Sequence, residues 1–189
     1  MTTNESDCNN PAKIDYQEHW NTAYTKNTTE KLGWFEESSK ETLGLIKKTA
    51  LNKKAKILVG VGSSMLIDEL LAEGYTSLIA SDLSEKALNG LEKRLAENAS
   101  KATFIADNII NSEKLQSLNN VNLWLDRAVF ALNGAEKCCG LELQRYNTAK
   151  LQDKLGEEFK LIDKFNYGFI NPYRSERPYI YTLFQRKNK

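Results

Sequence analysis

Residues 56–75 read KILVGVGSSMLIDELLAEGY, and this stretch decides the fold. Residues 56–61 form a short apolar run between a charged entry and a glycine-rich exit, the pattern of a buried strand. Gly60-Val61-Gly62-Ser63-Ser64 turns that strand into a helix over 63–73, with Met65, Leu66, Leu70 and Leu71 on its apolar side. Gly74 follows where a helix C-terminus favours a residue without Cβ. The paired glycines let backbone approach a ligand closely, and the helix start offers N–H groups to an anion. Met65 stands where a dinucleotide fingerprint needs its third glycine, and no Gly-Lys-Ser/Thr completes a Walker loop. Pyrophosphate and triphosphate ligands are therefore disfavoured. Taken alone, the turn reads equally well as a tight connection with no ligand.

Working outward, strands are predicted over 77–81, 102–106 and 121–125. Ser84 can cap a helix over 85–98, whose Leu88, Leu91 and Leu95 recur at helical spacing. Upstream, helices are predicted over 13–24 and 38–50. Downstream, a short helix over 148–155 ends at Gly156, and strands over 158–167 and 178–186 flank the turn INPYRSE, which allows an antiparallel pair. Strand and helix alternating from residue 56 mean βαβ units around a parallel sheet, so the fold class is α/β. Residues 1–12 are polar and expected as a disordered tail, leaving 13–189 as one domain.

The chain has 189 residues with 26 basic and 25 acidic side chains, and this near balance supplies no general field for nucleic acid or an anionic membrane. The lysines at 47, 48, 53, 54 and 56, with Arg186, Lys187 and Lys189, lack interleaved aromatics and read as solvated surface. No apolar run approaches the ~20 residues of a membrane span, and the opening MTTNESDCNN has no signal-peptide core. Cys8, Cys138 and Cys139 show no C-x-x-C spacing, which favours reduced thiols and a cytoplasmic setting. His19 is the only histidine, so His-rich zinc sites fall away and no metal is expected. A Ser-His-Asp triad would have to use His19, and no G-x-S-x-G elbow supplies its serine.

Ligands of open parallel sheets bind beyond the carboxyl ends of the strands. That rule selects Gly60 to Ser64, Asp82, Asp107 with Asn108, and Asp126 with Arg127. Asp82 falls twenty positions after Gly62, where a carboxylate can accept from both hydroxyls of a ribose; its plainer reading is a turn residue before the Ser84 cap. Asp107 and the Asn108 backbone can read an adenine edge, or Asp107 can simply shape its loop. Trp20 and Tyr24 are four apart and share a helix face, whereas His19 points elsewhere and reads as a surface or capping residue.

The segments HWNTAY, KLGWFEE, ILVGVGSSMLIDELLAEGY, IASDLSEKAL, IADNI, NLWLDRAVF, CCGLELQRY and ERPYIYTLFQR resemble those of class I S-adenosylmethionine-dependent methyltransferases. Within that family they are similar to a bacterial branch of unknown substrate and to eukaryotic lysine methyltransferases of elongation factor 1A. The resemblance runs from about Tyr16 to Arg186. It implies a Rossmann-like sheet flanked by helices, S-adenosylmethionine as cofactor, and methyl transfer to a protein side chain, lysine among the candidates, or to a small molecule. It also implies that Gly60, Gly62 and Ser63 contact the methionine end, that Asp82 and Leu83 border the ribose, and that Asp107 and Asn108 meet adenine. Trp20, Tyr24 and Trp34 match aromatics that wrap the cofactor, and Arg127 matches a basic position after the fourth strand. Asp126 is the candidate for orienting the methyl acceptor; its alternative role is as a structural partner for Arg127. The cofactor carries no phosphate, so Met65 does no harm, and its sulfonium cation suits aromatic faces and carboxylates.

Three departures stand out. Leu58 replaces an acidic residue common in the first strand, and Ala23 occupies a position often basic. After the fourth strand, relatives continue through a helix and a fifth parallel strand, whereas here AVF runs straight into ALNG. A parallel neighbour requires a crossover of roughly a dozen residues, which do not fit between Asp126 and Asn133. The sheet is thus expected to be shortened by one parallel strand. Its open edge is then closed by the C-terminal strand PYIYTLFQR, giving a monomer, or residues 127–132 extend strand four and pair with a second copy through Val129, Phe130 and Leu132. A chain that lost its fifth strand could also persist as a catalytically impaired cofactor-binding module or oligomerising pseudoenzyme.

Overall fold

The computed structural model describes residues 14–62, 64–126, 137–138, 140–142 and 144–187. The predicted tail 1–12 lies outside that set. Helix α1 is Tyr16–Lys26, and it starts later than the sequence suggests because the Asp15 carboxylate accepts the Glu18 N–H and caps it. After a 3-10 turn at Thr29–Lys31, α2 spans Lys40–Lys48. The Ser39 N–H at its start donates to both carboxylate oxygens of Glu69, at 3.2 and 2.9 Å. Next come β1 (Ile57–Gly60), α3 (Leu66–Ala72), β2 (Leu78–Asp82), α4 (Glu85–Leu95), β3 (Ala102–Ala106), α5 (Glu113–Gln116) and β4 (Leu123–Leu125). Two short antiparallel pieces, β5 (Lys137–Cys138) and β6 (Leu141–Glu142), precede α6 (Thr148–Leu155) and the long hairpin β7 (Phe159–Ile170) and β8 (Glu176–Arg186).

β3, β2, β1 and β4 lie side by side in that order, all parallel, with helices flanking the sheet. This is the predicted α/β architecture. β1 is interior, and Ile57 and Val59 are fully buried together with Leu70 of α3. That burial explains why the strand reads as the apolar run 57–61 and does not alternate. Leu88, Leu91 and Leu95 of α4 join the same core. Sequence periodicity missed α5, which is one turn long and begins at the Ser112 cap.

The expected closure of the sheet by PYIYTLFQR is not what forms. Those residues lie in β8, which pairs with β7 from Phe159↔Arg186 to Ile170↔Glu176 in a separate two-stranded sheet. Antiparallel pairing needs only the tight connection at 171–175, and stacked rings reward it: Phe165 and Tyr181 lie parallel at 4.9 Å. Among the described residues, β4 pairs with β1 alone. The alternative involving Val129, Phe130 and Leu132 falls outside the described residues.

Gly44 in α2 and Gly90 in α4 are exposed helix-interior positions, and an added Cβ at either meets nothing within 4 Å. Gly44→Ala and Gly90→Ala should each stabilise the fold by about 0.5–1 kcal/mol, because alanine restricts the unfolded chain and fits the helix. Ala96, at φ 50° and ψ −119°, calls for the opposite exchange. Thermal melts of Gly44→Ala/Gly90→Ala and of Ala96→Gly should both shift upward; a fall for either would contradict the backbone conformation described.

Candidate functional site

The strands β1, β2 and β4 deliver their C-terminal ends to one rim of the sheet. β1 leaves that rim through Gly60, Val61 and Gly62. Gly62 has φ +48°, the left-handed region that an L side chain rarely adopts. Its N–H donates to Asp82 Oδ2 at 2.9 Å, and the Ser84 N–H donates to Oδ1 at 2.8 Å. One carboxylate at the end of β2 thereby ties the glycine turn to the start of α4. Burial pushes the Asp82 carboxyl above the usual carboxylate range, while the N–H groups of Ser84, Gly62 and Leu83 pull it back. An ionised carboxylate offers about four acceptor positions, so these bonds leave it capacity for hydroxyl donors. Leu83 is half-buried between Asp82 and the Ser84 cap.

An aromatic cluster stands over Gly62. A Cβ there would lie 3.1 Å from Tyr24 Oη, 3.8 Å from Trp34 Nε1 and 4.0 Å from Trp34 Cδ1. Trp34 packs edge-on against Trp20 and Tyr24, with ring centroids at 5.6 and 5.8 Å. The three predicted aromatics thus converge, although 34 lies in a loop and 20 and 24 in α1. His19 is not the surface or capping residue expected: its ring is half-buried, edge-on to Trp20 at 5.3 Å, and its Nε2 is shielded from solvent with no hydrogen-bond partner.

Asn21 was not singled out from the sequence, yet its Oδ1 accepts from Ser84 Oγ at 2.8 Å and from the Lys86 N–H at 3.3 Å. This clips α1 to the N-terminus of α4, whose Ser84 cap lies two residues beyond Asp82. Glu36 was missed as well. It is buried and accepts the Tyr167 hydroxyl at 2.9 Å. No local sequence signal announces a bond between residues 131 apart.

Asp107 follows β3 as predicted, but its carboxylate organises its own loop. It accepts from Ser112 Oγ, from the Asn108 N–H at 2.8 Å and from the Lys114 N–H at 3.3 Å. The Ser112 hydroxyl bond, foremost, holds this carboxyl below its ordinary range. Asn108 is exposed, and its side-chain oxygen accepts the Ile110 N–H at 3.0 Å. Asp126 directly follows β4 beside the glycine turn, its Oδ1 3.8 Å from where a Cβ on Gly60 would sit. Leu58 is buried in β1. Ser63 and Arg127 lie outside the described residues.

Gly60, Gly62, Asp82, Asp126, Trp20, Tyr24 and Trp34 therefore gather at one rim, with Asp107 at the end of the neighbouring strand β3. The gathered chemistry is a hydroxyl-accepting carboxylate, close-approach backbone and electron-rich ring faces. Among the described residues no three His, Cys, Asp or Glu side chains cluster as metal ligands, and no helix is long and apolar enough to cross a membrane.

No protein-family profile matches the chain, and no curated protein sequence matches it. Among solved structures it is similar to the crystal structure of a SAM-dependent methyltransferase from Anabaena variabilis ATCC 29413, with a TM-score of 0.66 over 93% of this chain and 96% of that one at 10% identity. The parallel sheet β3-β2-β1-β4 with its flanking helices thus shares a Rossmann-like α/β fold with that structure.

Proposed function

We propose that this chain binds S-adenosylmethionine over Gly60, Gly62 and Asp82 and is a methyltransferase acting on a nucleophilic nitrogen or oxygen of a protein side chain, lysine among the candidates, or of a small molecule. The observation that carries this reading is the joint placement of Asp82 and the aromatic cluster on Gly62. A Cβ at residue 62 would crowd Tyr24 Oη at 3.1 Å, so only glycine lets the turn approach the rings of Tyr24 and Trp34 this closely. The residues fit the cofactor's chemistry: hydroxyl donors for Asp82, a cation for the rings of Trp20, Tyr24 and Trp34, and no phosphate for a turn that lacks a third glycine.

When bound, the cofactor supplies an activated methyl group on a good leaving group. The protein's tasks are then in-line positioning and exclusion of water. Asp82 holds the ribose end, Leu83 and Asn108 border the nucleoside, and the aromatic cluster covers the turn from the α1 side. Asp126, beside Gly60, is the candidate for orienting the acceptor. Ser63 and Arg127 complete the proposed binding set.

Isothermal calorimetry with S-adenosylmethionine and with its demethylated product tests the cofactor. Heat with micromolar to millimolar affinity is expected, and no heat with either at millimolar ligand removes the reading. A methyl-transfer screen over peptides and small amines then separates the enzyme from its rival, a catalytically impaired binding module. Binding without turnover on any acceptor favours the module. Such an outcome would fit a sheet in which, among the described residues, β4 pairs on one side only.

A further inference from the structure

We infer that the C-terminal hairpin positions the cofactor-covering tryptophan, through the hydrogen bond from Tyr167 to Glu36. This rests on the cofactor reading above and adds to it a positioning residue on a distant element. Trp34 sits in the connection between α1 and α2, a stretch with little regular structure of its own beyond one 3-10 turn. An irregular connection gains no backbone ladder, so its ring, packed edge-on against Trp20 and Tyr24, is held in place by contacts that anchor the chain on either side.

Three such contacts frame it. Before Trp34, the Tyr173 hydroxyl donates to the Lys31 carbonyl at 2.6 Å. Two residues after it, Glu36 Oε1 accepts the Tyr167 hydroxyl at 2.9 Å. Beyond that, the Ser39 N–H is held by Glu69. Two of the three come from the hairpin. Lys48 of α2 adds an ion pair to Asp163 of β7, so the same pair of segments meets a further time.

Of these, the Tyr167 bond is the one built to last. Tyr173 is largely exposed and Lys48 lies at the surface, whereas Glu36 is buried. Tyr167 is itself held: its ring meets Tyr181 edge-on at 5.6 Å, and Tyr181 stacks on Phe165. A rigid aromatic ladder thus presents a phenol to a buried carboxyl oxygen, a partner that is costly to leave unsatisfied once water is excluded. Glu36 lies two residues from the ring that borders Gly62. Releasing it frees Trp34 to leave the glycine turn, although neither Tyr167 nor Glu36 touches Gly62.

The test uses the full chain labelled with 5-fluorotryptophan, whose three resonances (Trp20, Trp34 and Trp124) are assigned by Trp→Phe replacement. In Tyr167→Phe the Trp34 resonance should shift or broaden while that of Trp124 stays in place. The dissociation constant for S-adenosylmethionine should rise about five- to tenfold. Glu36→Ala should match Tyr167→Phe, and the double variant should be no worse than either single one. Glu36→Gln, which keeps an acceptor oxygen, should restore most of the affinity and the native Trp34 resonance. Asn166→Ala, on the opposite face of β7, should change neither reading. An unmoved Trp34 resonance in Tyr167→Phe overturns the inference, as does an unchanged affinity. Failure of the wild-type chain to bind cofactor removes the proposed function instead, and the fluorine spectrum of the apo protein still decides the latch.

Discussion

Replacing Asp82 by alanine should weaken S-adenosylmethionine binding by about 1.5–3 kcal/mol, a loss of roughly ten- to 150-fold in affinity. Two effects add. The ribose loses its acceptor, and the Gly62 and Ser84 N–H groups lose the carboxylate that joins the turn to α4. Calorimetry on Asp82→Ala reads the sum, and an affinity within twofold of wild type would remove Asp82 from the site. Asp82→Asn removes the titrating group and so isolates its pH dependence. Burial raises the folded-state pKa of Asp82, so the folded chain holds this proton more tightly than the unfolded chain does. The stability this contributes is fully present below the unfolded value near 3.8 and is lost as pH rises through the raised folded value. Wild type should therefore lose stability relative to Asp82→Asn as pH climbs from just below 4 toward neutrality. Cofactor affinity should run the other way and strengthen over that window, because hydroxyl donors favour the ionised carboxylate. Chemical denaturation of both proteins across this range checks the first slope, and binding at the same pH values checks the second.

The second large effect is expected at Gly62. A valine there must adopt φ +48°, which costs ~1–2 kcal/mol for an L residue and more for a branched one. Its Cβ would also stand 3.1 Å from Tyr24 Oη. Displacing that ring adds an overpacking cost of about 1–3 kcal/mol. Gly62→Val should thus lower stability by about 2–5 kcal/mol and abolish measurable cofactor binding. Gly62→Ala should show a milder loss. Combining Gly62→Ala with Tyr24→Phe should recover part of it, since the nearest atom is then gone. A double variant as weak as the single would mean that backbone strain, not the aromatic cover, sets the requirement for glycine. Denaturant titration and calorimetry on the three proteins separate these contributions.

Much of this arrangement is legible in the primary structure because it depends on local chemistry. A run of buried residues at β1, a glycine turn, leucines at helical spacing in α4 and the Ser84 cap each leave a mark within a few residues. So do carboxylates placed at the ends of successive strands, which is why Asp82, Asp107 and Asp126 were found at β2, β3 and β4. Trp20 and Tyr24 share a helix face by arithmetic alone. Even the chain-terminal strands were recognisable, although their connection is tighter than expected.

What each marked residue does depended on neighbours far away in the chain. Asp107 spends its carboxylate on the loop it begins, a choice made by Ser112 and Lys114 folding back onto it. His19 is half-buried, its ring packed edge-on against Trp20 at 5.3 Å. β8 chose β7 over β4, since a short antiparallel connection forms a ladder of aromatic pairs without a long crossover. The tie from Tyr167 to Glu36 spans 131 positions and leaves no periodicity or motif in either segment. Sequence therefore settled which elements form and which strand ends carry carboxylates, because helix spacing, capping and turn chemistry act over a few residues. Tertiary structure alone decided which of those carboxylates faces the glycine turn and what holds Trp34 above it, because burial and hydrogen-bond pairing exist only once distant segments have met.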